Sequence, residues 1–426
     1  MQKIIFAFTS ILFLLFGCKN PESNEKSLYR QSAEFEPSEA IWLLWSNYDH
    51  RADMPNEQAT LDIISALVPH VKVKLIVAND SLYQHARSKI RPDWLEKQQV
   101  SIFKMPYQEF WARDMGPSFV LDQQGKLAMA DFNFNAWGIG SLQDSTVKID
   151  ESLDERVAKM MKLPVISSPL ITEGGNHEVN GRGTLMLTEK VERGRNPKLS
   201  LAQMEREYQR LLGVKNVIWL KEGLYEDDYT QRSPLPGPKG EKLYTLLTTN
   251  GHIDEMARFV DAHTILLAEV DSSDLDEPIG RENQRRLEQN LNILQAARDQ
   301  DGKAFRIIRM PLPKLIVDTL YPGDGTYDLI STSDFENGHQ FPKGKPVLGI
   351  AAASYLNFLI ANGCVLVPAY YRPGADPEVK KRDEQAQTIL QSVFPKKKII
   401  PIDALAVNFG GGGIHCITIN EPKSKQ

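Results

Sequence analysis

Four stretches of the chain share one plan, a short apolar run, a tight polar turn and a second apolar run: "SFVLDQQGKLAMADFNF", "HEVNGRGTLMLTE", "ARFVDAHTILLAEVD" and "LNFLIANGCVLVPAY". Alternation around turn residues predicts a β-hairpin in each. Between them, apolar residues recur at helical spacing. Residues 55–70 carry Leu61, Ile64 and Leu67, and residues 200–213 open on an N-cap residue, Ser200, and close on a C-cap residue, Gly213. Residues 282–298 and 376–393 predict two more amphipathic helices with charged outer faces. Hairpin, helix and strand recurring with no Pro/Gly/Ser-rich linker predict one α/β domain of similar modules. Residues 225–244, "YEDDYTQRSPLPGPKGEKLY", break the pattern and predict a surface loop. The acidic loops "VDSSDLDEP" and "YPGDGTYD" lack EF-hand spacing and predict solvated turns.

The ends of the chain follow a different rule. Ile4 to Phe16 is apolar and is followed by Gly17 and Cys18, which predicts a lipoprotein-type signal over residues 1–17 with Cys18 as the lipidated residue. Residues 18–33 are polar and unpatterned, so they predict a flexible tether ahead of a domain at 34–420, with a polar tail at 421–426. An exported protein anchored to a membrane by lipid, on the periplasmic or cell-surface side, is the expectation. At 426 residues, 42% hydrophobic and 25% charged, a large core is available. The net charge of -5, with scattered Lys and Arg, excludes nucleic acid as a partner class, and the Lys396 to Lys398 run predicts a solvated turn. Three cysteines cannot form a disulfide framework. Cys364 sits in a buried-strand pattern as an inert hydrophobe, which leaves Cys416 as the candidate for chemistry.

Five stretches set ionisable or glycine-rich residues at element ends: "WARDMGPSF", "FNAWG", "EGGNHEVNGRGT", "TNGHIDEMARF" and "GGGGIHCIT". His252 and Asp254 are two apart, so in an extended segment they share a face, and the carboxylate favours the protonated ring. Asp114 follows Arg113 just before a Gly-Pro turn, where an ion pair and a cleft-facing acid are both open readings. Glu173 precedes two glycines that permit close approach, and His177 predicts a structural role. His415 and Cys416 are adjacent, so on a strand they face opposite ways and His415 is a poor base for the thiol. A thiol, a distant His and several carboxylates fit a cationic substrate better than acyl transfer, where negative charge would oppose the oxyanion. A guanidinium about 4 Å from a carboxylate gains roughly 4 kcal/mol per pair at an effective dielectric near 20, before desolvation. Its planar fork of donors suits two carboxylates.

In this order the five stretches resemble the agmatine deiminase and Porphyromonas-type peptidylarginine deiminase family of the guanidine-modifying pentein superfamily. "AEFEPSEAIWLLWSN" resembles the family's opening strand and "SYLNFLIANGCVLVP" its penultimate module, so the likeness runs from about Glu34 to about Thr418. It implies an α/β propeller of five ββαβ modules. It also implies that Cys416 attacks the guanidinium carbon, that His252 protonates the leaving ammonia and later activates water, and that Asp254 and Asp114 hold the guanidinium nitrogens. Glu173 takes a supporting place, and Trp137 either stacks on the substrate or belongs to the core. The glycine run, with Gly412 and Gly413, would pack against the substrate and present the thiol. No metal or organic cofactor is implied. The expected substrate is agmatine, free arginine derivatives or peptidyl arginine. Amidino transfer and a non-catalytic guanidinium-binding surface lipoprotein are the alternatives. The leader, the 225–244 insertion and Arg258 in "HIDEMARF" set this chain apart from the cytosolic agmatine deiminases.

Overall fold

The computed structural model describes residues 27–246 and 248–425. The leader and Cys18 lie outside the described residues. All four predicted hairpins form. Ser118–Asp122 pairs antiparallel with Leu127–Asn133, Glu178–Val179 with Thr184–Thr188, Ala257–Phe259 with Thr264–Glu269, and Leu359–Ile360 with Cys364–Pro368. In each, the second strand then pairs in parallel with a third, at Val165–Ile171, Asn216–Leu220, Arg306–Pro311 and Lys398–Ile402 respectively. Parallel partners need a crossover. Helices supply it, and Leu153–Met161, Leu201–Leu212, Pro278–Ala296 and Pro377–Val393 all lie in those connections.

A fifth sheet has the same plan and joins the two ends of the described chain. Thr418–Pro422 runs antiparallel to Ser38–Leu44, which pairs in parallel with Lys72–Val77 after the helix Asn56–Leu67. A sixth sheet departs from the plan: Leu235–Pro236 and Lys242–Tyr244, both from the predicted insertion, pair onward with Val347–Ile350 and Val317–Leu320. The insertion is therefore only partly a surface loop, and its first turn is buried at Asp227 and Asp228.

Local sequence explains several helix boundaries. Ser200 and Gln203 form a reciprocal capping box, and Gly213 closes the helix at φ 67°. Pro278 starts its helix four residues before the predicted 282, because proline at the first turn loses no hydrogen bond. Both predicted ends shift. Tyr29–Arg30, inside the expected tether, pairs with Leu121 and Asp122, while Glu421, inside the expected tail, is buried and accepts from Trp42 Nε1 at 2.7 Å. In the acidic loops the carboxylates already have partners: Asp274 pairs with Arg382 at 2.6 Å and Asp324 accepts from the Ala52 and Tyr321 amides. Among the described residues no helix is long and apolar enough to cross a membrane.

Candidate active site

The thiol segment is built by hydrogen bonds around a glycine loop. After the short helix Leu405–Asn408, Asn408 Nδ2 donates to the Gly412 carbonyl at 3.0 Å, and Gly411 takes φ 105°, a conformation that suits glycine. A Cβ on Gly412 would lie 2.7 Å from the Trp111 ring and 3.0 Å from Cys416 Sγ, so the loop reaches this thiol only as glycine. Asn357 clamps the far side. Its Oδ1 accepts from the His415 amide at 2.8 Å and its Nδ2 lies 3.2 Å from Cys416 Sγ. The Arg113 amide donates to the Cys416 carbonyl at 2.9 Å, which ties the one-turn helix Ala112–Met115, and with it Asp114, to the thiol segment.

Around Sγ the charge is negative. Asp254 Oδ2 lies 3.7 Å away and Glu255 Oε1 3.9 Å away. Burial, then Asp254, Glu255 and Asp114, push the Cys416 thiol well above its usual range. Glu255 is pushed up by burial and by Asp254. Asp254 goes the other way: burial opposes its charge, but the His415 hydrogen bond and charge hold it ionised. Asp254 Oδ1 is buried with no hydrogen-bond partner. His415 does not touch the thiol, as expected, although the segment around it is a turn and not a strand. Its Nδ1 meets Asp254 Oδ2 at 2.8 Å and its Nε2 meets Glu34 Oε2 at 2.7 Å.

His252 precedes the turn Ile253–Glu255 and shares with Asp254, Glu255, Cys416 and Gly411 the walls of one small cavity. Asp227 holds it in place, accepting from the His252 and Gly251 amides at 3.0 Å each. The ring is bracketed by acids. Nε2 lies 3.2 Å from Glu173 Oε2 and Nδ1 3.7 Å from Asp114 Oδ1. Burial works against the imidazolium, but Asp114 and Glu173 outweigh it and raise His252 to about 9. Glu173, despite burial, is lowered to about 2 by Arg195 and His252. Asp114 is raised to about 6, because burial exceeds the opposing pull of His252. A Cβ on Gly175 would sit 2.5 Å from His252 Nδ1, which explains the second glycine of "EGG".

The predicted site residues therefore divide. Cys416, His252 and Asp254 line one cavity. Asp114 and Glu173 touch His252 but lie outside that lining, and Asp114 faces a separate, open cavity walled by residues 31–34 and 36–38, His177 and His415. Trp137 is buried in the core and donates from Nε1 to Asp114 Oδ2 at 2.8 Å. Gly411, and not Gly412 or Gly413, lines the thiol cavity. His177 has the structural place expected, with Nε2 2.8 Å from Thr172 Oγ1. Sequence reasoning missed Glu255, Asn357 and Asp227. Glu255 sat beside a residue already chosen, but nothing local marked Asn357 within "SYLNF" or Asp227 within the insertion. Arg258 is fully buried, pairs with Glu178 at 2.9 Å and Glu34 at 3.1 Å, and does not line the thiol cavity. Asp254, Glu255 and Cys416 also set three metal-ligand-type atoms within 4.8 Å of one another.

A thiol among carboxylates beside a charged His, on this α/β fold, defines a hydrolase of carbon–nitrogen bonds in guanidines, a deiminase. Comparison with known proteins agrees. The chain belongs to the Porphyromonas-type peptidyl-arginine deiminase family, whose model matches residues 30–233 and 239–422. It is 29% identical to an agmatine deiminase of Pseudomonas aeruginosa, over 96% of this chain and 99% of that one, and 30% identical to an agmatine deiminase of Medicago truncatula, over 92% and 96%. The solved agmatine deiminase of Enterococcus faecalis superposes with a TM-score of 0.73 at 26% identity, covering 93% of this chain and 96% of that one. Amidino transfer and non-catalytic binding are not favoured by these relatives.

Proposed function

We propose that the enzyme hydrolyses a small guanidine, agmatine first among those tested, to its ureido product and ammonia. The carrying observation is the buried Asp254 Oδ1 without a partner, in a cavity that also holds the thiol. A buried ionised oxygen is costly unless paired, and a guanidinium N–H would pair it. Asp114, outside that cavity's lining but against the His252 ring and near enough to raise the Cys416 thiol, supplies the second carboxylate; its two oxygens accept from Gly175 N and Trp137 Nε1 but each keeps a lone pair. The bound cation reverses the sign of the field at Sγ, so the thiol releases its proton to water on binding and the thiolate attacks the guanidinium carbon. His252, protonated, gives its Nδ1 or Nε2 proton to the departing amine, and ammonia leaves a covalent thiouronium. The neutral ring then takes a proton from an attacking water, and collapse of that adduct expels the thiolate and frees the ureido product.

Mass spectrometry of agmatine, free arginine and a peptide ending in arginine, each incubated with the enzyme, tests this. Agmatine should gain about one mass unit with release of ammonia, because an imino nitrogen is replaced by oxygen, while Cys416→Ser gives no product. Turnover by Cys416→Ser at the wild-type rate would sink the mechanism, and conversion of only the peptide would move the substrate. We also propose that Cys18 carries a lipid on the exported side of a membrane, supported by the apolar run Ile4 to Phe16 followed by Gly17. Cys18→Ala should release the protein from membranes, and unchanged partitioning would refute the anchor.

A further inference from the structure

The N-terminal arm delivers an acid to the back of the active site. Glu34 accepts from His415 Nε2 at 2.7 Å, and His415 Nδ1 reaches Asp254 Oδ2 at 2.8 Å, so one imidazole spans two carboxylates and leaves Asp254 Oδ1 as the free oxygen. The arm's grip on this acid is extensive. Glu34 Oε1 also accepts from the Ile360 amide at 2.6 Å and lies 3.1 Å from Arg258 Nη2, while Oε2 lies 3.3 Å from Arg113 Nη2. Arg258 is itself fixed by Glu178 at 2.9 Å and by the Leu356 and Phe358 carbonyls. These contacts come from segments far apart in the chain, and they converge on a residue within a few positions of the strand Tyr29–Arg30.

We infer that Glu34 is a positioning residue for the deiminase reaction: through His415 it fixes the orientation of Asp254, so that Oδ1 is presented to the substrate's guanidinium. A carboxylate held by one hydrogen bond at Oδ2 can rotate or tilt when that partner is loose, and a small misplacement of a gripping oxygen weakens binding of the cation. Without Glu34, His415 keeps Asp254 on one side but loses its own anchor on the other. The inference rests on Asp254 gripping a guanidinium as proposed above, and it makes the arm part of the binding apparatus.

The test measures agmatine binding to the full chain in a Cys416→Ser background by calorimetry, and agmatine kinetics in the active protein. Glu34→Gln should weaken Kd about ten-fold or more and raise KM correspondingly, with kcat at saturation falling less, and Glu34→Asp should recover part of the loss. A purely structural Glu34 would lower the folded fraction and leave Kd and KM per folded molecule at wild-type values, which overturns the inference. Should Glu34→Gln fail to fold, His415→Gln keeps the ion pairs of Glu34 with Arg113 and Arg258, and a wild-type Kd in that variant overturns it equally. Wild-type turnover of agmatine with unaffected variants refutes the relay alone, while Cys416→Ser protein that binds no agmatine refutes the proposed function and the relay together.

Discussion

Around His252 the charges close on themselves: Glu173 accepts from Arg195 Nε at 2.6 Å and faces His252 Nε2 at 3.2 Å, with Asp114 on the ring's other nitrogen. Around Cys416, by contrast, Asp254 Oδ1 has no partner, and Glu255 Oε1 accepts from the uncharged Asn357 amide at 2.8 Å. Both regions are buried, so neither relies on solvent to screen its charge. The first sets a cationic ring between two acids and can exist in the free enzyme, although His252 Nδ1 has no hydrogen-bond partner. The second is short of a cation, and that deficit is what a guanidinium substrate would fill. Burial also explains why the thiol rests protonated until the cation arrives, a device that keeps a reactive sulfur quiet in the empty site.

The largest expected effect comes from removing the open charge. Asp254→Asn leaves a neutral amide where the cation should pair, and losing one partner of a buried charge pair costs about 3 kcal/mol, roughly a hundred-fold in kcat/KM. Steady-state kinetics on agmatine check it, and a variant within a few-fold of wild type would show that the cation is held elsewhere. Stability should fall in the same variant, because His415 holds the Asp254 carboxyl below its ordinary pKa and the amide forfeits that ion pair.

How much of this was legible beforehand follows from the range over which each feature is encoded. The hairpins and helix caps are local, so alternation around Gly125 and the Ser200 and Gly213 caps were enough to place them. His252 and Asp254 were legible for the same reason, two residues apart in one short motif. Asn357 was not, because its meaning depends on lying across from Cys416, 59 positions later, and no periodicity reports such a contact. Asp227 was hidden differently. Its stretch is rich in Pro, Gly and charge, a composition that predicts exposure, yet the His252 and Gly251 amides need an acceptor and bury it. The tether boundary failed because a two-residue strand, Tyr29–Arg30, is too short to show alternation.

The closed region gives an intermediate effect with a direction in pH. His252 is raised from 6.5 to about 9, so the stability its protonated ring contributes is full below pH 6.5 and is lost as pH rises through 9. Activity that needs the protonated acid should show an alkaline limb in the same region. After the opposing effect of burial, Asp114 is the largest contributor to that rise. Asp114→Asn should therefore move the limb down by about one pH unit and lower kcat/KM about ten-fold or more, the loss growing with pH. A pH–rate profile decides it. An unmoved limb would separate the limb from His252 and leave only the Coulombic loss at the substrate.

The smallest effect belongs to the residue that links the ion network to the core. Trp137 sits at φ 55°, a conformation rarely adopted by a bulky side chain, and packs edge-on against Phe134 with ring centroids 5.1 Å apart. Its Nε1 donates to Asp114 Oδ2, and this bond favours the ionised acid against burial. Trp137→Phe would keep much of the packing and delete that donor, a loss of about 1 kcal/mol for one buried hydrogen bond, so kcat/KM should fall roughly five-fold. Asp114 would then ionise at higher pH, and the acid limb of the profile should move up while the alkaline limb, set by His252, moves down slightly. A fall larger than a hundred-fold with an unshifted acid limb would instead place the indole against the substrate, since losing a stacking surface alters binding without changing the ionisation of Asp114.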